Sequence, residues 1–103
     1  MVIMYLTCAN QDEAQKISTA LLEAKLIACV RHSLIDSSYW WDGKINHDGE
    51  VLIMMETIEE KFDAIEGVVT KLHSYDEFVL TAVPVLKTTP GVEAWLSKNL
   101  AKD

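Results

Sequence analysis

Residues 26–55 set the tightest limit on the fold, because they read as two long strands hinged at Asp42-Gly43. Asp-Gly is among the strongest short hairpin signals, since both residues accept the positive φ of a type I′ turn. The incoming strand starts as the apolar run LIACV and continues, more polar, to Trp41. It spans 16 residues from Leu26, or roughly 50 Å at ~3.3 Å per residue. A compact domain of about 100 residues has a radius of gyration near 13 Å, hence a diameter of roughly 35 Å. Even with a bulge or bend near Ser33, the hairpin tip must project beyond the core its own chain can build.

Three large rings, Tyr39, Trp40 and Trp41, stand at that tip. A projecting ribbon of this kind exposes an apolar patch and unpaired edges. A neighbouring copy of the chain covers both, so the three rings are read as oligomer contacts. A closed ring suits them better than a filament, because closure uses up every edge. In the competing reading the hairpin bends back and the rings cap its own sheet. His47-Asp48-Gly49, a second turn signal, would then break the return strand.

The other elements follow from local pattern. Residues 1–8, MVIMYLTC, suit a central strand buried on both faces. A helix begins at Asn10 or Gln11, with Asp12 and Glu13 in its first turn, and carries Ala14, Ile17, Leu21 and Ala24 to about Lys25. Thr57-Ile58-Glu59-Glu60 has capping-box spacing, ahead of a helix with Phe62, Ile65, Val69 and Leu72 on its apolar stripe. Residues 78–86 form a fourth strand. Thr89-Pro90 opens a third helix that buries Val92, Leu96 and Leu100, with Trp95 beside them in the core. The order β-α-β-β-α-β plus a C-terminal helix predicts an α+β, ferredoxin-like fold: an antiparallel sheet with helices on one face and a long β2-β3 hairpin.

Composition narrows the function. With 103 residues, half of them apolar, the chain is expected to be a single domain over 1–103 with one core. No segment approaches the roughly 18–20 apolar residues of a membrane span. The N-terminus lacks a basic leader and turns polar early, so a cytoplasmic protein is expected. The formal charge is −7 and the nine basic residues are scattered, which argues against nucleic acid as a partner. Cys8 and Cys29 lie in apolar runs without metal-type spacing and read as buried, reduced thiols.

Catalysis finds no foothold. The chain lacks a Gly-rich phosphate loop, HExxH and G-x-S-x-G, and Ser33, Ser37 and Ser38 have no evident base. No enzyme activity and no organic cofactor are expected. Metal binding is better supported. His73, Asp76 and Glu77 gather an imidazole and two carboxylates within five residues at a helix end, a donor set suited to copper or another divalent cation. The competing role for His73 is a cationic partner for the negative end of that helix. His47 with Asp48 is a weaker metal candidate, and His32 reads as an ordinary surface or interface residue.

The sequence resembles the CutA family of divalent-cation tolerance proteins. The likeness is carried by "DEAQKIS", "LIACV", "YWWDGK", "HSYDEF" and "VEAWL", in that order over nearly the whole chain. The family hairpin pattern Tyr-x-Trp-(Glu/Asp)-Gly-Lys is met by Tyr39, Trp41, Asp42, Gly43 and Lys44. The resemblance implies a PII-like homotrimer, association with tolerance to copper and other divalent cations, and an interface pocket near Trp41, Glu56 and Tyr75. The chain departs from the family at several positions. Ser74 replaces a Pro, the family's first-strand thiol position falls at Leu6, its late acidic position falls at Val79, and Glu56 stands where a Lys is common. Two functions therefore stand side by side. One is a trimeric metal-binding tolerance protein; the other is a PII-like regulatory module that takes a small ligand or partner protein between subunits without metal chemistry.

Overall fold

The computed structural model describes residues 1–102. The elements are β1 (Val2–Cys8), α1 (Gln11–Glu23), β2 (Cys29–Trp41), β3 (Lys44–Thr57), a 3₁₀ turn (Glu59–Lys61), α2 (Phe62–Leu72), β4 (Leu80–Pro84) and α3 (Val92–Asn99). The four strands form one antiparallel sheet in the order β2-β3-β1-β4. This is the ferredoxin-like arrangement with an added C-terminal helix.

One sheet face is covered. Along β1, Val2, Met4, Leu6 and Cys8 are buried while Ile3, Tyr5 and Thr7 are only half-buried, so the strand is central but not buried on both faces as its apolar run suggested. The buried set meets Val51, Ile53 and Met55 of β3, Ala14, Ile17 and Leu21 of α1, and Ile65 and Val69 of α2. That two-layer contact is the core.

Local chemistry fixes the helix ends. Asn10 caps α1, its side chain accepting the Glu13 N–H at 2.9 Å. At the other end the Leu26 N–H reaches the Leu21 carbonyl and the Lys25 N–H reaches that of Leu22, a Schellman closure that puts Lys25 at φ 57°. The expected capping box at Thr57 is absent. Thr57 still belongs to β3, where its hydroxyl donates to the Leu26 carbonyl at 2.6 Å, and the 3₁₀ turn starts one residue later, after Ile58, which has no capping side chain. Three further boundaries shift. β4 covers only Leu80–Pro84, where β1 offers partners, and Pro84 is tolerated because this is an edge strand. Strand β2 starts at Cys29, leaving Cys29 half-buried rather than buried. Helix α3 starts after Gly91 at φ 93° rather than at Pro90, and its Trp95 is 39% exposed rather than core.

The hairpin is longer than the layer that covers it. β2 and β3 pair one-to-one from Cys29 with Glu56 to Trp41 with Lys44, so neither a bulge at Ser33 nor a turn at His47-Asp48-Gly49 interrupts them. Asp42 and Gly43 take φ 53° and 72°, as a type I′ turn requires. Thirteen residues of β2 extend about 43 Å, whereas the thirteen of α1 rise only about 20 Å. The outer half of the ribbon is therefore bare, and the molecule is 45 Å in its longest dimension. Trp40 is 72% exposed, Trp41 61% and Ile45 57%. Trp40 pairs with Ile45 on one face while Tyr39 and Trp41 occupy the other, so the ribbon is apolar on both sides.

Candidate functional site

The topology brings three element ends to the base of this ribbon. β1 finishes there at Cys8, α1 begins there, and α2 returns there at His73. Cys8 Sγ, a carboxylate oxygen of Glu13 and a ring nitrogen of His73 lie within 4.8 Å of one another. Among the described residues this is the one grouping of three metal-capable side chains.

His73 is held by its surroundings. Its side chain is fully buried, its ring stacks on Phe78 at 5.3 Å between centroids, and Tyr75 lies against it at 4.8 Å. Nε2 lies 2.8 Å from the Thr7 carbonyl oxygen, which only accepts, so Nε2 carries the proton. Nδ1 is then the lone-pair nitrogen; it accepts the Tyr75 N–H at 3.0 Å and lies 3.7 Å from Glu13 Oε1. The ring thus reaches across to β1 instead of neutralising the end of α2, as one sequence reading had it. Fixing the tautomer through a backbone carbonyl is how proteins commonly orient a ligating imidazole.

Glu13 stands in the first turn of α1, where one carboxylate oxygen accepts the Ala9 N–H at 2.7 Å and the other accepts the Ser74 N–H. Burial pushes its pKa up, but these backbone donors, the Ser74 side chain and nearby His73 outweigh burial and hold it below the ordinary value. Cys8 is the opposite case. Burial, with the negative fields of Glu13 and Glu50, pushes its thiol up to about 12, so it is a neutral S–H at neutral pH.

Tyr75 links this cluster to the ribbon. Its hydroxyl donates to Glu50 at 2.6 Å, and burial, followed by that bond, raises its pKa well above the usual phenol value. Further out, Tyr39 donates to Asp48, and Ser38 and His47 bond at 2.7 Å. His47 and Asp48 thus each have a partner on β2, and both lie outside the three-donor grouping.

The predicted site residues are only partly gathered. His73 is central, but Asp76 and Glu77 are exposed and lie outside the three-donor grouping. Trp41 and Glu56 sit at opposite ends of β3's pairing, about 40 Å apart along the strand, and Tyr75 lies between them. One chain alone therefore does not assemble a Trp41, Glu56 and Tyr75 pocket. Glu56 bonds Arg31 across the strands. His32 is not a plain surface residue, because it bonds Gln11 at 2.9 Å and Ser18 at 3.0 Å and ties β2 to α1. A cleft of about 430 Å³ opens at the far end of the sheet, beside Met1, Ile58 and α3, and none of these candidates lines it.

Sequence reading missed Cys8 and Glu13. Glu13 read only as an acidic residue in the first turn of a helix, and nothing local pointed to His73, 59 intervening residues away, with which the fold brings it together.

A ferredoxin-like sheet, a hairpin overshooting its helices and a cluster of polar groups at the hairpin base define a PII-like class of fold. Comparison with known proteins narrows the class. Residues 2–99 match the family described as CutA1 divalent ion tolerance protein. The divalent-cation tolerance protein CutA of Archaeoglobus fulgidus is 33% identical over 97 residues, covering 94% of this chain and 95% of that protein. The crystal structure of CutA1 from Pyrococcus horikoshii superposes with a TM-score of 0.93 at 29% identity, covering 99% of this chain and all of that one. The structure from Archaeoglobus fulgidus, described as a periplasmic divalent cation tolerance protein, gives 0.93 at 33% identity over 96% and 98% of the two chains. The chain belongs to the CutA1 divalent ion tolerance family.

Proposed function

We propose that this chain serves divalent-cation tolerance as a homotrimer that binds a divalent ion such as copper directly, at the base of the β2-β3 ribbon. The observation that carries the reading is the posture of His73. Its Nε2–H is committed to the Thr7 carbonyl, and its Nδ1, which accepts the Tyr75 N–H, lies 3.7 Å from a Glu13 carboxylate oxygen in a buried setting. The bare apolar ribbon supports the assembly, since its rings are exposed on both faces of a single chain. On this reading the protein binds and does not turn over substrate, takes no organic cofactor, and works in the cytoplasm.

The test is a calorimetric titration of the metal-free protein with Cu²⁺ at neutral pH, beside His73→Ala. Saturation near one ion per chain, lost in the variant, is the expected outcome. Heat that never saturates in either protein would remove direct binding. The alternative of a small ligand or partner protein between subunits would then take its place.

A further inference from the structure

The family reading leaves open which residues complete the site and what kind of ion they select. We infer that Cys8, Glu13 and His73 together form a site for a thiophilic divalent cation of the Zn²⁺ or Co²⁺ type, covered by the backbone of Ser74 and Tyr75. The inference rests on the proposed direct binding and specifies its chemistry.

Geometry comes first. The three donors come from three different elements, β1, α1 and the end of α2, and lie within 4.8 Å of one another. Donors around a tetrahedral ion with bonds of about 2.0–2.3 Å stand roughly 3.3–3.8 Å apart, so the widest side of the triangle must contract by about an ångström. Glu13 and His73 already meet that spacing at 3.7 Å.

The donor types set selectivity. A thiolate, an imidazole and a carboxylate suit Zn²⁺ and its neighbours, whereas Mg²⁺ and Ca²⁺ take oxygen ligands. Three protein donors leave a fourth position for water or a further group. On binding, the Cys8 S–H proton passes to solvent and the thiolate sulfur takes the metal.

The cover is equally specific. The Ser74 N–H bonds one oxygen of Glu13 and the Tyr75 N–H bonds Nδ1 of His73. The carboxylate keeps further lone pairs for an ion, whereas Nδ1 has one, so loading exchanges the Tyr75 N–H bond for a metal bond. Ser74 is exposed and Tyr75 is 36% exposed, while the Tyr75 hydroxyl is anchored on Glu50, so loading has to re-aim the backbone N–H groups of this turn about a fixed side chain.

Co²⁺ is the probe, because thiolate ligation adds a sulfur-to-cobalt charge-transfer band that imidazole and carboxylate do not give. In the intact protein the band should grow to saturation near one Co²⁺ per chain, yield to Zn²⁺, and resist a large excess of Mg²⁺. Cys8→Ala should abolish it and Cys29→Ala should leave it. Glu13→Gln, which keeps the side chain's size and an acceptor for one of the two backbone N–H groups, should weaken Co²⁺ binding by more than about 10-fold, since even outer-shell partners are worth about 10- to 100-fold. Circular dichroism checks that each variant folds; should Cys8→Ala fail to fold, the wild-type band and Glu13→Gln decide. Co²⁺ binding without the band, or unchanged in Cys8→Ala, would overturn this site while direct cation binding survives. No binding of Co²⁺, Zn²⁺ or Cu²⁺ would remove both.

Discussion

The two halves of the β2-β3 hairpin are continuous in hydrogen bonding but differ in burial, most clearly along β3. In the inner half, residues 51–56 of β3 pair with β1 as well as β2, and Val51, Ile53 and Met55 are almost fully buried. In the outer half, residues 35–41 and 44–50 pair only with each other, and four large apolar side chains there, Tyr39, Trp40, Trp41 and Ile45, are exposed. Strand propensity is not what bares the outer half, because Ile35, Tyr39, Trp40, Trp41 and Ile45 stand there among its polar residues. What separates them is coverage: a helix rises about 1.5 Å per residue and a strand about 3.3 Å, so equal lengths cannot match. The inner half stabilises the chain. On the proposed reading the outer half stabilises the assembly.

The sharpest way to break that division is Trp41→Ala. A Trp buried at an interface is worth about 3–5 kcal/mol on truncation, so the variant should dissociate at concentrations where the wild type stays assembled, seen by sedimentation velocity. Its single-chain fold, read by circular dichroism, should survive. The reciprocal change, Ile53→Ala, should cost about 2–5 kcal/mol of folding stability in a denaturant titration because it opens a cavity in a fully buried site. Equal effects of the two variants on folding would erase the distinction between the halves. Gly43→Val acts on the turn itself. A β-branched residue at φ 72° should cost about 1–2 kcal/mol and lower the melting temperature; an unchanged melting curve would contradict the turn.

The smallest expected effect concerns the junction between the halves. Tyr75 donates to Glu50, and its pKa is raised in the folded protein from an unfolded value near 10.0. A raised folded pKa means the contribution is complete below about 10 and is lost as pH climbs through the folded value. Tyr75→Phe should therefore flatten the alkaline limb of the stability profile and leave neutral pH little changed. A profile that keeps its full alkaline slope in the variant would assign that slope elsewhere.

Much of this architecture was legible in the sequence. The turn at Asp42-Gly43, the start of α1 at Asn10 and the overshooting hairpin all follow from rules acting within a few residues. The errors share a different cause. Thr57 looked like a helix cap because its spacing was right, yet the Leu26 carbonyl, 31 residues away, took its hydroxyl. Pro90 lost the helix start to Gly91, whose positive φ turns the chain into α3. Asp76 and Glu77 were chosen because they neighbour His73 in sequence, but neighbours on a loop need not converge. Cys8 and Glu13 do converge, because in this topology the end of β1, the start of α1 and the end of α2 share one end of the sheet. That convergence was implicit in the predicted element order, although no local motif announced it.

The division of labour within the hairpin is tested most directly by sedimentation equilibrium of the unmodified protein, repeated with Trp40 and Trp41 both replaced by alanine. The account predicts a mass three times the 11.6 kDa of one chain for the wild type and a fall toward the single-chain mass in the double variant. A wild-type protein that sediments as one chain, or a double variant that stays a trimer, would contradict it.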